Sequence, residues 1–229
     1  MITLCTTVFN DMPIWRVCVQ RILGELNENV SWVIVDGRST DGTLELTNSK
    51  AEKRDNMLSF IPQEHLRRGA ARNTAAILAR DRFKADILIH AIDGDVIYRP
   101  GFVDLIANTF IMNGCNPIAG DSFFVISTED YFKAGGYSHL QTEEDYLFYS
   151  MIVCKGLRLL SKRLNVWEFD FQEACPVHNL AEMGSDKDMR EPILYNNEKE
   201  LGDWCRCRKD GDKWLPVESK PLSDIPVVI

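Results

Sequence analysis

The first half of the chain alternates short apolar runs with helical patterns at least four times, and no other feature narrows the choice of folds so far. Ile2 to Val8 reads as a strand. Behind Pro13, which suits a helix's first turn, apolar residues at Ile14, Val17, Cys18, Ile22 and Leu26 recur at helical spacing. Trp32 to Val35 is a second buried strand, closed by Asp36-Gly37, and Ser39 to Thr43 is rich in capping residues ahead of a helix to about Arg54. Met57 to Ile61 is a third strand, Gly69 to Arg80 a helix of small residues, and the apolar run after Asp86 a fourth strand. Pro100 opens a helix to about Met112. Strands and helices in this order predict an α/β fold with a mostly parallel sheet and helices on both faces.

Beyond this, Ile118 to Ile126 reads as a further strand, and Ser127-Thr128-Glu129-Asp130 as the capped start of a short helix stopped at Gly135-Gly136. A helix from Glu143 to about Lys155 follows, with Gly156 beyond its end, and then short strands at Arg158 to Leu160 and Val166 to Phe171. From Glu182 onward the sequence turns polar, with recurrent Gly, Asp, Lys and Pro, and predicts a loosely ordered or extended arm.

Acidic residues gather where strands end. Asp93-Gly94-Asp95 puts two carboxylates at the exit of the fourth strand, where open sheets usually bind ligands. Such hard oxygen donors suit Mg²⁺ or Mn²⁺, which bind through one or two carboxylates plus substrate phosphates. Asp36 closes the second strand, and Glu143-Glu144-Asp145 opens a later helix, whose dipole favours the anionic form. A net charge of −8 argues against a broad nucleic-acid surface. No stretch approaches the ~18 apolar residues of a membrane span, so any membrane contact is expected to be peripheral. No basic segment followed by a long apolar run opens the chain, so no signal peptide is expected. Seven scattered cysteines fit a reduced, cytoplasmic protein better than a disulfide framework.

Five blocks in order resemble the family 2 glycosyltransferases of the GT-A fold: Thr7-Val8-Phe9-Asn10, Val33 to Thr43, Gly69 to Ala75, Asp93-Gly94-Asp95 with Pro100-Gly101-Phe102, and Gly135-Gly136-Tyr137 with Glu144-Asp145. The resemblance covers about residues 1–160. It implies a GT-A, Rossmann-like domain over residues 1–180, with a nucleotide-binding half of about 1–100 and an acceptor half of about 101–180. Residues 181–229 would form a C-terminal arm or lid, reaching the diphosphate with Lys187 or Arg190.

The activity implied is inverting transfer of a sugar from a UDP- or GDP-sugar to an acceptor hydroxyl, with Mn²⁺ or Mg²⁺ as cofactor. Asp36 would accept a hydrogen bond from the base, with Thr7, Phe9 and Asn10 beside the donor nucleotide and Arg72 or Arg68 on its diphosphate. Asp95 would bind the metal directly, Asp93 would contact the ribose or the metal's waters, and His178 would be a further metal ligand. Asp145 would be the general base, with Glu144 the nearest competitor. A histidine at position 90 reads as core or sheet face. Two departures stand out: position 150 is Ser where related chains often carry Arg, and Arg38 follows Asp36-Gly37 where many read Asp-Asp-Gly. The competing readings are a nucleotide-sugar or metal-binding module of the same fold without turnover, and, more weakly, a nucleotidyltransferase. The latter would want a glycine-rich phosphate loop that Thr6 to Asn10 does not provide.

Overall fold

The computed structural model describes residues 1–12, 14–64, 66–90, 92, 94, 96–120, 122–139, 144–162, 164, 166–170, 205–210 and 213–219. Its centre is a sheet in which β1 (Ile2–Val8) lies between β2 (Val30–Asp36) and β4 (Ile87–His90), and β3 (Met57–Phe60) flanks β2. These four strands are all parallel. The crossovers carry α1 (Ile14–Leu23), α2 (Thr43–Ala51) and α3 (Arg68–Phe83). Beyond β4 come β7 (Phe123–Ser127), β6 (Ile118–Gly120) and β8 (Leu160–Ser161), with β4–β7 and β7–β6 antiparallel and β6–β8 parallel. The sheet is therefore mostly parallel, as its alternating sequence predicts.

Side chains alternate across each strand, so one sheet feeds two cores. Leu4, Trp32, Ile34, Ile89 and Val125 pack with Trp15, Val19 and Ile22 of α1 and with Phe102, Ile106 and Phe110 of α4 (Phe102–Met112). Cys5, Val33, Val35, Leu88, Phe124 and Ile126 face the other way. There they meet Ala71, Ala75, Ala76 and Ala79 of α3, Tyr131 of α5 (Thr128–Ala134), and Phe148, Met151 and Ile152 of α6 (Glu144–Cys154). The alanine stripe lets α3 lie close on the sheet. Strands buried on both faces read as continuous apolar runs, which is why they stand out in the sequence.

Three elements differ from the sequence expectation. Residues 118–126 form two strands, β6 and β7, paired antiparallel, because the chain reverses at Ser122 with φ of 58°. Val96–Tyr98, unassigned from the sequence between Asp95 and Pro100, is a strand, β5, paired antiparallel with β9 (Trp167–Asp170). Cys205–Asp210 and Lys213–Ser219 form an antiparallel pair, β10 and β11, within the segment expected as an arm, and β11 packs on α6. No helix among the described residues is long and apolar enough to cross a membrane.

Candidate functional site

The strand order places β2 on one side of β1 and β4 on the other, so the chain switches direction between β1 and β4. Open sheets bind ligands in the crevice at the carboxyl end of such a switch point. Val8 and Asp36 end β1 and β2 side by side in register, and β4 ends at His90, just ahead of Asp93-Gly94-Asp95.

The two loops leaving β1 and β2 are stitched together. Gly37 N–H donates to the Val8 carbonyl at 2.8 Å. Asn10 N–H donates to Ser39 Oγ, and Thr40 N–H donates to Asn10 Oδ1, both at 2.9 Å. Asp41 Oδ2 accepts from Met12 N–H at 2.8 Å, and Thr43 Oγ1 accepts from Asp11 N–H at 3.1 Å. Asn10 holds φ of 55°, a left-handed conformation that its side chain tolerates. The amide oxygen of Asn10 thus orders the loop.

Asp36 is fully buried. Its Oδ1 accepts from Ser39 N–H at 2.6 Å, whereas Oδ2 has no hydrogen-bond partner among the described residues. Burial raises its carboxyl above the usual range, against the opposing hydrogen bonds from Ser39 and Arg38. Phe9, half exposed, packs against Gly37: a Cβ there would come within 3.1 Å of the Phe9 ring. That contact accounts for glycine after Asp36. Arg38 adopts φ of 72° and donates to the carbonyls of Pro62 and Gln63, tying the β2 exit to the β3 exit. Thr7, half-buried near the end of β1, sits beside Val35 of β2.

Gly94 also has a packing reason. A Cβ there would lie 2.9 Å from the Trp15 ring and 3.3 Å from Val8 Cγ1, so Gly94 itself sits against α1 and the β1 exit. Asp93, Asp95 and His178 themselves lie outside the described residues. Among the described residues no three His, Cys, Asp or Glu side chains gather around a cation position.

The acid pair opens α6 and is met by α3. Because α3 follows β3, its first turns stand at the carboxyl edge of the sheet. Arg72 ion-pairs with both acids: its Nη1 lies 3.0 Å from Glu144 Oε1 and also pairs with Asp145 Oδ1. Arg68 Nε approaches Glu144 Oε1 at 3.9 Å. The side chain of Glu144 is 1% exposed, that of Asp145 35%. Burial pushes the Glu144 carboxyl up to about 7, with Arg72 opposing. The guanidinium also sits over the Tyr137 ring, 5.1 Å from its centre. Asn73, next along α3, fixes that tyrosine: its Oδ1 accepts from Tyr137 N–H at 2.8 Å and from Tyr131 Oη at 2.7 Å. His90, fully buried, stacks on Tyr131 at 4.9 Å, and neither ring nitrogen has a hydrogen-bond partner among the described residues. The roles of Arg38 and Asn73 escaped the sequence reading, since their partners lie 24 and 64 residues away.

This strand order, with acids at the strand exits, is the arrangement of a GT-A glycosyltransferase. The family model for glycosyl transferase family 2 matches residues 3–161. The chain belongs to that family. No curated protein matches the chain. Among solved structures, S. aureus TarS aligns at a TM-score of 0.61 and 13% identity over 72% of this chain and 36% of its own. The mannosyltransferase PcManGT from Pyrobaculum calidifontis gives 0.60 and 15% over 72% of this chain and 55% of its own. Mannosyl-3-phosphoglycerate synthase from Rubrobacter xylanophilus gives 0.58 and 13%, over 98% of this chain and 90% of its own. The chain thus spans about a third to a half of the length of the first two.

Proposed function

We propose that the chain is an inverting glycosyltransferase that moves a sugar from a nucleotide-diphosphate sugar, held with Mn²⁺ or Mg²⁺, to an acceptor hydroxyl. The observation that carries the reading is the contrast between the paired acids. Glu144 is sealed in, whereas the Asp145 side chain is 35% exposed and held by Arg72 of α3, the helix that leaves the carboxyl end of β3. An inverting transfer needs one accessible, ionised carboxylate to take the acceptor's proton.

In this reading the acceptor oxygen attacks the anomeric carbon from the face opposite the leaving group. Its proton passes to Asp145, and the bond to the nucleoside diphosphate breaks with its electron pair. Asp36 holds the base: its Oδ2 is a buried acceptor without a partner among the described residues, which an N–H of the base would satisfy. Phe9, packed against Gly37, and Thr7 would lie beside the nucleotide. Asp95 and Asp93, with His178, are the residues that would hold the cation. Bound there, it neutralises charge on the departing diphosphate. Solved structures of the neighbours support the donor class, with TarS in complex with UDP and UDP-GlcNAc and PcManGT with GDP-Man and Mn²⁺. Residues 181–229 are proposed as an arm or lid over the site.

The test is calorimetry of UDP and GDP, each with and without Mn²⁺. Binding of one of them, strengthened by the metal, is expected. No binding of either would remove the donor reading.

A further inference from the structure

The acid pair has its cation supplied from elsewhere in the fold. Helix α6, from Glu144 to Cys154, contains no Lys or Arg, and position 150 is Ser. The positive charge comes instead from α3, 73 residues earlier in the chain. Arg72 is 7% exposed, and its guanidinium reaches both carboxylates while lying over Tyr137. Asn73 fixes Tyr137 through both its N–H and its carbonyl, the latter accepting from Asn73 Nδ2 at 2.9 Å. Two successive residues of α3 therefore hold Tyr137 and the first turn of α6.

The two contacts are unequal. Glu144 is buried and shares its charge with Arg72 and, at longer range, Arg68. Asp145 takes the same guanidinium but keeps an open side. Both contacts run through one nitrogen, Nη1, which hydrogen-bonds Asp145 and meets Glu144 Oε1 as an ion pair without a hydrogen bond.

Resting on the transferase reading above, we propose that Arg72 is the positioning residue of the acid pair. It anchors Glu144 as the buried partner and orients Asp145 toward the acceptor hydroxyl. This role differs from contact with the donor diphosphate, and the two make opposite demands on kinetics. A diphosphate ligand governs donor affinity, whereas a positioning residue governs the turnover of bound donor.

The experiment uses the full chain with Arg72→Lys and Arg72→Met. Consumption of UDP- and GDP-sugars with Mn²⁺ is followed for kcat and KM. The positioning role expects kcat to fall at least ~10-fold in Arg72→Met with donor KM within about twofold, and partial rescue in Arg72→Lys. A rise in donor KM with kcat kept would overturn it. A second arm stands apart from activity: urea unfolding of Arg72→Met, Glu144→Gln and the double variant. Non-additivity of at least ~5-fold in the folding constant is expected for groups in contact. Additive losses would show that the ion pair does not organise α6, and would overturn the proposal. If the wild type consumes no nucleotide sugar, the transferase reading falls, and the unfolding cycle alone decides for or against the clamp.

Discussion

At the scale of single residues, the carboxylates divide into those turned to solvent and those turned to the protein. Glu144 and Asp145 are neighbours in sequence and both read as candidate bases, yet they differ 1% to 35% in exposure. Asp145→Asn removes the proton-accepting charge with little change of shape. Transfer is expected to fall at least ~10²-fold while nucleoside diphosphate affinity stays near wild type, measured by single-turnover transfer and calorimetry. Glu144→Gln should cost less; if it alone is dead, the two roles are exchanged. Asp36 differs again, since one oxygen orders its own loop through Ser39 and the other has no partner among the described residues. Asp36→Asn keeps a carbonyl oxygen for Ser39. It should weaken UDP or GDP binding by ~1.5–3 kcal/mol with or without metal. Unchanged affinity with slower turnover would show that Asp36 acts elsewhere.

At the scale of elements, three strand exits are held by contacts that cross between them. The β1 and β2 loops share the hydrogen bonds of Asn10, Asp41 and Thr43, and Gly94 sits against Trp15. A Cβ on Gly94 would lie 2.9 Å from the Trp15 ring, so this position needs space. Gly94→Ala should therefore push on Trp15, destabilise the fold by ~1–3 kcal/mol in urea unfolding, and weaken metal-dependent nucleotide binding. Wild-type behaviour in both would show that the segment has room. Much of this was legible in the sequence. Apolar runs ending in Asp36-Gly37 and Asp93-Gly94-Asp95 marked the exits because parallel strands bury both faces. What stayed hidden depends on distant pairing: β5 finds β9 about seventy residues on, and Arg72 finds Glu144 and Asp145 across the fold. The β10–β11 pair had one local signal, Asp210-Gly211, set in a polar stretch that hid its strands.

At the scale of the whole molecule, the buried network behind the site ties its stability to pH. Burial, and then the charge of Arg72, holds His90 down to about 3, against an ordinary 6.5. Between these values the unfolded chain binds a proton that the folded chain refuses. Stability from this group is therefore lost as pH falls from about 6.5 toward 3, by up to ~1.4 kcal/mol per unit. Glu144 acts with opposite sign: its raised carboxyl binds a proton in the folded chain between 4.5 and about 7, so stability from it is lost as pH rises through that window. The difference between wild type and His90→Phe isolates the first effect. The wild type should lose ground to the variant on acidification in urea unfolding, and parallel curves would contradict it. The central claim, that this fold turns over a metal-held nucleotide sugar, is tested most directly by donor consumption. A panel of UDP- and GDP-sugars is incubated with wild type plus Mn²⁺, wild type plus chelator, and Asp95→Asn plus Mn²⁺. Release of nucleoside diphosphate from one donor by the first alone is the expected result. Binding without release in all three would make the chain a nucleotide-sugar-binding module and contradict the account.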